Sequence, residues 1–228
     1  MRHFLIATAV VATLAGCSNG EKTARYLIDP PIPAERLPNR LGTAELKDVS
    51  LPEYAAGDEV SWQTADGAVR SNTKQLWADD PQRAFTLTLA RTVSDMSGAT
   101  VIAEPWPLAE PPRRSIEVRV EKALAQANGS YRLSGRYFIG DTGAGGANQA
   151  RSFDIAIPLG VPGDKPGDKS GAKAGPEAIA RAQSLAIAQL ARQIAVLGGP
   201  GSAIRTSAPI VPRLDDLFSQ PLPPLEGS

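Results

Sequence analysis

The chain has 228 residues, 42% of them hydrophobic and 21% charged, with 24 Lys and Arg against 24 Asp and Glu. That balance excludes a dedicated nucleic-acid binder, which would carry a basic stripe interleaved with aromatics, and the length suits one domain with tails. The one histidine, His3, and the one cysteine, Cys17, both lie at the extreme N-terminus, so the body of the chain lacks an imidazole base, imidazole or thiolate metal ligands and a disulfide framework.

Arg2 supplies a positive start, Phe4 to Leu14 an apolar run, and Leu14-Ala15-Gly16 leads into Cys17. The run is too short to span a bilayer, and Ser18-Asn19-Gly20 turns polar at once. Residues 1–16 therefore read as a removable lipoprotein signal peptide, with Cys17 the lipid attachment site and residues 17–24 a lipidated tether. In bacterial lipoproteins of this kind the cysteine carries S-diacylglycerol and N-acyl groups, palmitate among them. At roughly 0.8 kcal/mol per buried CH₂, several chains hold such a protein on its membrane durably. Under the sorting rule known for Gram-negative lipoproteins, Ser18 after the cysteine favours the periplasmic face of the outer membrane.

Arg25-Tyr26-Leu27-Ile28 predicts a short strand stopped by Asp29-Pro30-Pro31, since proline cannot donate to a ladder. Residues 45–51 alternate in part. Val60, Trp62 and Thr64 share one parity before Ala65-Asp66-Gly67 turns the chain into Ala68-Val69-Arg70, a half-buried hairpin. Asp80 before Pro81 marks a helix start, and Phe85, Leu89, Thr92 and Met96 recur at helical spacing until Ser97-Gly98. A strand over residues 99–103 precedes Ile116, Val118 and Val120, which alternate with Glu117, Arg119 and Glu121 as in a sheet with one wet face. Asn128-Gly129 signals a tight turn into a strand over residues 131–139, and Phe153, Ile155 and Ile157 mark a third strand of the meander. Residues 160–175, poor in apolar side chains and rich in glycine, predict a mobile loop. The second helix runs from Pro176 to Leu197, with Ile179, Ala186, Leu190, Ile194 and Leu197 on one face and Arg181 and Arg192 off it. Residues 199–228, punctuated by proline, predict a disordered tail.

These elements predict a single α/β domain over residues 25–198: a mixed, mostly antiparallel sheet of about five to seven strands with two α-helices packed on it. No cofactor beyond the covalent lipid on Cys17 and no metal is expected. The acids Asp58-Glu59, Asp79-Asp80 and Asp215-Asp216 form no convincing acid–base pair, and the Gly140–Gly146 stretch lacks the lysine of a phosphate loop and joins strands. The chain thus reads as non-enzymatic. Its candidate partner-binding residues are Tyr54, Trp62, Trp77 and Trp106, large side chains that serve an interface as readily as a core.

Behind the lipobox, Arg25-Tyr26-Leu27-Ile28-Asp29, Val49-Ser50-Leu51-Pro52-Glu53-Tyr54, Glu59-Val60-Ser61-Trp62-Gln63, Trp77-Ala78-Asp79-Asp80-Pro81 and Pro105-Trp106 occur in an order that resembles the ABC-type transport auxiliary lipoproteins, the PqiC-like family. The resemblance spans roughly residues 25–197. It implies a lipid-anchored role beside an inner-membrane ABC transporter and a periplasm-spanning MCE-type protein, in systems that move lipids between membranes and support outer-membrane integrity, and it implies no catalytic residue. A lipoprotein that itself holds a lipid or small hydrophobic ligand is the alternative, and a homo-oligomer stays open. The Cys17 reading predicts release from membranes by detergent and not by high salt; the Cys17→Ser variant should lose incorporation of radiolabelled palmitate, checked by metabolic labelling and fractionation.

Overall fold

The structure, a computed structural model, describes residues 23–143, 148–160 and 175–197. In chain order the elements are β1 (Ala24–Tyr26), β2 (Thr43–Leu46), α1 (Glu53–Ala56), β3 (Trp62–Gln63), β4 (Val69–Arg70), β5 (Gln75–Trp77), α2 (Pro81–Ser97), β6 (Thr100–Ala103), β7 (Arg114–Ala125), β8 (Ser130–Asp141), β9 (Gln149–Pro158) and α3 (Pro176–Leu197).

The antiparallel meander β7–β8–β9 follows from strict alternation. Ile116, Val118 and Val120 are buried while Arg119 and Glu121 face water, and Tyr131, Leu133, Tyr137, Ile139, Phe153, Ile155 and Ile157 continue the buried face. The turn between β7 and β8 needs Gly129, whose φ is +81°, and Asn128 Oδ1 accepts from the Ser130 backbone N–H at 3.1 Å.

The other edge of β7 is divided among three short parallel partners. β2 takes its start, with Ala44 opposite Arg114 and Leu46 opposite Ile116; Ser50 bridges to Arg119; Trp62 of β3 pairs with Ala125 at its end. β6 flanks β2 in parallel and β4 flanks β3 antiparallel, completing a seven-stranded sheet. β1 and β5 form a separate parallel pair.

Helices α2 and α3 pack side by side on the buried face, α2 toward β6 and α3 against β8 and β9. Asp80 Oδ1 accepts the Arg83 backbone N–H at 2.7 Å, Pro81 opens the helix, and Gly98 closes it in the left-handed region at φ +65°. Phe85, Leu89, Thr92 and Met96 are buried, which matches the expected stripe, and Val93 is buried beside them. On α3, the buried Ala182, Ala186, Ala191 and Ala195 let the helix sit close to its neighbours, with Ile179, Ile187, Leu190 and Ile194 filling the gap.

The expected α/β domain, with its meander and two long helices, is the observed one. Four local features differ, the first being β5, a strand the sequence did not predict, which pairs with β1 apart from the main sheet. A four-residue helix, α1, follows Pro52; the first strand covers Ala24–Tyr26, because Ile28 drops into the core and the Asp29 N–H donates to Ser184 Oγ at 2.9 Å; and β2 ends at Leu46, leaving Ser50 as an isolated bridge. The expected signal peptide (1–16), Cys17 with most of its tether, most of the 160–175 loop and the tail (199–228) lie outside the described residues.

At mid-meander the register of β7 against β8 shifts between Val120 and Lys122, a bulge at Glu121. Gly135 faces it. A β-carbon there would fall inside the contact distance of the Arg119 carbonyl oxygen and 2.9 Å from Val120 Cα, both backbone, and 3.0 Å from Phe153 Cζ. The strands approach that closely only because position 135 has no side chain. Gly135→Ala should therefore cost about 2 kcal/mol, as overpacking does. Gly140→Ala, whose β-carbon would meet only ordinary contacts from 3.6 Å outward, should be near neutral; urea denaturation of the two variants checks the contrast.

Candidate functional site

The four aromatics singled out from the sequence occupy different parts of the fold. Tyr54, on α1, is half-buried; its carbonyl accepts from Ser61 Oγ at 3.0 Å, and its hydroxyl accepts the Ala123 backbone N–H at 3.3 Å. Trp77 ends β5 and is 6% exposed. Its N–H donates to the Asp58 carbonyl at 2.7 Å and its own carbonyl accepts from Arg25 Nη1 at 3.5 Å. Trp77 is therefore core, and a partner would meet no more than a rim of its ring.

Trp62 is half-buried beside Ala125, at the end of β7. Trp106 is also half-buried but lies elsewhere: its backbone N–H donates to Glu45 Oε1 at 2.9 Å and its indole Nε1 to the Glu110 carbonyl at 2.7 Å. Glu45 is in register with Ser115 near the start of β7, about 30 Å from Ala125 along the strand at roughly 3.3 Å per residue. Tyr54, Trp62 and Trp77 thus gather at one end of the sheet, and Trp106 marks the other.

Trp77 lines two small hollows among the described residues. The larger, about 140 Å³, opens between β1 and α2; Tyr26, Leu27, Ile28, Trp77, Leu87 and Thr88 line it together with Asp79 and Ala84. The smaller, about 10 Å³, lies beneath Tyr54 and is lined by Trp77, Ala123, Tyr131 and Gln183 among others. Neither reaches the few hundred Å³ that encloses a drug-sized ligand.

Tyr131 and the two exposed leucines of the larger hollow, Leu27 and Leu87, are not among the site residues expected from the sequence. Tyr131 is buried with no hydrogen-bond partner for its hydroxyl. Burial holds its phenol far above the ordinary value, with the neighbouring Tyr54 adding to the shift. The Tyr137 phenol is pushed up to about 12 by burial, opposed by Arg151. Strand parity marks Tyr131 as core, but nothing in the sequence marks its oxygen as unpaired. Leu87 was detectable as an apolar residue opposite the Phe85–Leu89 stripe of α2.

The acids near these hollows have structural partners. Asp80 caps α2, and Asp79 pairs with Arg83 at 2.9 Å. Among the described residues no group of three metal-ligating side chains occurs, and no helix is long and apolar enough to cross a membrane. Directly after β8 the Gly143 N–H donates to Asp141 Oδ1 at 2.9 Å; residues 144–147 lie outside the described residues.

A mixed sheet covered on one face by two helices, with aromatics at both ends and shallow hollows beside Trp77, defines a compact α/β module. Two solved structures share that fold. A crystal structure of an uncharacterized protein superposes with a TM-score of 0.54 at 21% identity, over 70% of this chain and 94% of the other. A Xanthomonas campestris protein gives 0.52 at 11%, over 75% and 90%. The chain belongs to the family of the ABC-type transport auxiliary lipoprotein component, whose model matches residues 26–195. The intermembrane transport lipoproteins PqiC of Escherichia coli K12 and of Shigella flexneri are each 28% identical to it over 149 residues, 63% of this chain and 76% of theirs.

An unpaired buried hydroxyl costs about 1–3 kcal/mol, so Tyr131→Phe should raise stability by about 1 kcal/mol near neutral pH. A phenol whose pKa is higher folded than unfolded contributes stability that is complete below pH 10 and is lost as pH rises through its folded value. The same variant should therefore flatten the loss of stability above pH 10, leaving the part due to Tyr137; urea denaturation at pH 7 and above pH 10 reads both effects.

Proposed function

We propose that this chain is a non-enzymatic, lipid-anchored periplasmic subunit of an ABC/MCE-type intermembrane lipid transport system. In this reading residues 1–16 are removed as a signal peptide, and Cys17 carries the N-acyl and S-diacylglycerol groups. Residues 17–24 tether one domain, residues 25–198, to the periplasmic face of the outer membrane, and residues 199–228 form a tail. The domain docks an MCE-type protein that works with an inner-membrane ABC transporter, and so contributes to outer-membrane integrity.

The observation that carries the reading is the family match over residues 26–195, essentially the whole described domain, with relatives named as intermembrane transport lipoproteins. Docking is favoured over enclosure of a lipid because the larger hollow, about 140 Å³, is too small to surround one. The aromatics placed to meet a partner are Trp62 and Trp106, each half-buried, with Tyr54 at the Trp62 end of the sheet, where Trp77 is buried behind it.

Photocrosslinking probes placed at Trp62, Trp106 and Tyr54 in intact cells, with adducts identified by mass spectrometry, should capture an MCE-type subunit from at least one position. Adducts to lipid alone would favour the ligand-holding alternative, and the absence of any transport component from all three positions would overturn the docking reading.

A further inference from the structure

Two leucines beside the larger hollow are left open to water. Leu27, just after β1, is 71% exposed, and Leu87, on the side of α2 away from the buried stripe, is 46% exposed; both line the hollow. Arg83 and Arg91 stand one helical turn to either side of Leu87, on the same side of α2. Arg83 is held by Asp79 at 2.9 Å and Arg91 by Asp29 at 3.1 Å. Arg25 lies at the same margin, reaching the Trp77 carbonyl. The result is an apolar centre with a rim of mixed charge, Arg25, Arg83 and Arg91 standing among Asp29 and Asp79, with Asp80 at the helix start and Asp95 one turn beyond Arg91.

This patch lies where the chain enters the domain. The description begins at Thr23, and Tyr26, which lines the hollow, follows Cys17 by nine residues. At no more than about 3.6 Å per residue, the lipid-bearing cysteine stands within about 32 Å of the hollow. A tether of that length lets the margin of the domain around β1 reach whatever holds Cys17. Exposed leucines among arginines, with long stems and charged heads, suit the boundary between acyl chains and headgroups, where paired charges can exchange partners with lipid phosphates.

We propose that the Leu27–Leu87 face rests on the bilayer in which Cys17 is anchored, the two leucines entering the interface and Arg25, Arg83 and Arg91 meeting lipid phosphates. The inference rests on the anchored reading given above. It sets the helical side of the domain toward the membrane and leaves the water-facing side of the meander, where Arg119 and Arg136 project, toward the periplasm.

The test uses the full lipoprotein, purified in detergent and reconstituted into vesicles of phosphatidylethanolamine and phosphatidylglycerol. Leu27→Cys, Leu87→Cys and, as the distal control, Arg136→Cys are labelled with a nitroxide, the native cysteine being blocked by its diacylglycerol. Labels at 27 and 87 should collide with oxygen several-fold more than with an aqueous nickel chelate, and the label at 136 should show the reverse. Protein that floats with the vesicles while labels at 27 and 87 are as open to nickel as that at 136 would overturn the inference and leave the anchor standing. Labels shielded from both reagents would overturn it in favour of a protein contact. Protein that fails to float would refute the anchor, and the inference with it.

Discussion

Everything in the domain hangs on β7. A twelve-residue strand at the middle of a sheet exposes donors and acceptors along both edges, and each buried one must be paired. One edge is satisfied along its length by the ladder to β8. The other is satisfied piecemeal by β2, Ser50 and β3, so the Glu45, Tyr54 and Trp62 segments are all located by which stretch of β7 they complete. The ladder tolerates one fault, the bulge at Glu121, and that fault is matched by the missing side chain at Gly135 and covered by Phe153, which stacks on Tyr137 with ring centroids 6.3 Å apart. Sheet, bulge and aromatic cover form one packing unit.

The two faces of this sheet have separate chemistry. The buried face accepts α2 and α3, whose alanines and branched aliphatics bring helix and strand backbones close together. The open face carries paired charges: Arg132 on Asp154, Arg119 on Glu117, and the Arg119 guanidinium 5.2 Å from the Phe138 ring centroid. Arg132 holds the Asp154 carboxyl below its ordinary pKa by hydrogen bonding. Such exposed pairs stabilise weakly, but they keep a wide sheet face soluble and available for contact. The charged open face and the leucine-bearing helical side lie on opposite sides of the module.

That polarity gives the proposed transport role a physical form. A subunit fixed to one membrane and engaging a partner that reaches from another needs one side turned to lipid and another free for protein. The root of the tether, the exposed leucines and their charged rim fall on one side, whereas Trp62 and Trp106 stand at the two ends of β7. Nothing about this arrangement requires an enclosed ligand cavity, and the hollows beside Trp77 are correspondingly small.

The sequence by itself determined the elements whose signals are periodic and local. Alternation over Ile116–Val120 and Phe153–Ile157 follows from a sheet with one wet face, and the stripes of α2 and α3, the Asp80 cap and the Asn128-Gly129 turn follow from hydrogen bonds made within a few residues. The order of its short motifs also carried the family. Only the tertiary structure decided the rest, because the deciding contacts join residues far apart in the chain. Ile28 left the first strand for the core, and Trp77 became interior through pairing of β5 with β1. Tyr54 and Trp106 were drawn to opposite ends of β7 by Ala123 and Glu45. The Tyr131 hydroxyl was left unpaired beneath Tyr54, and Leu27 came to lie beside Leu87. A single residue's type states its preference for burial or pairing; which distant group meets that preference is settled when the whole chain competes for the two edges and one face of the same central strand.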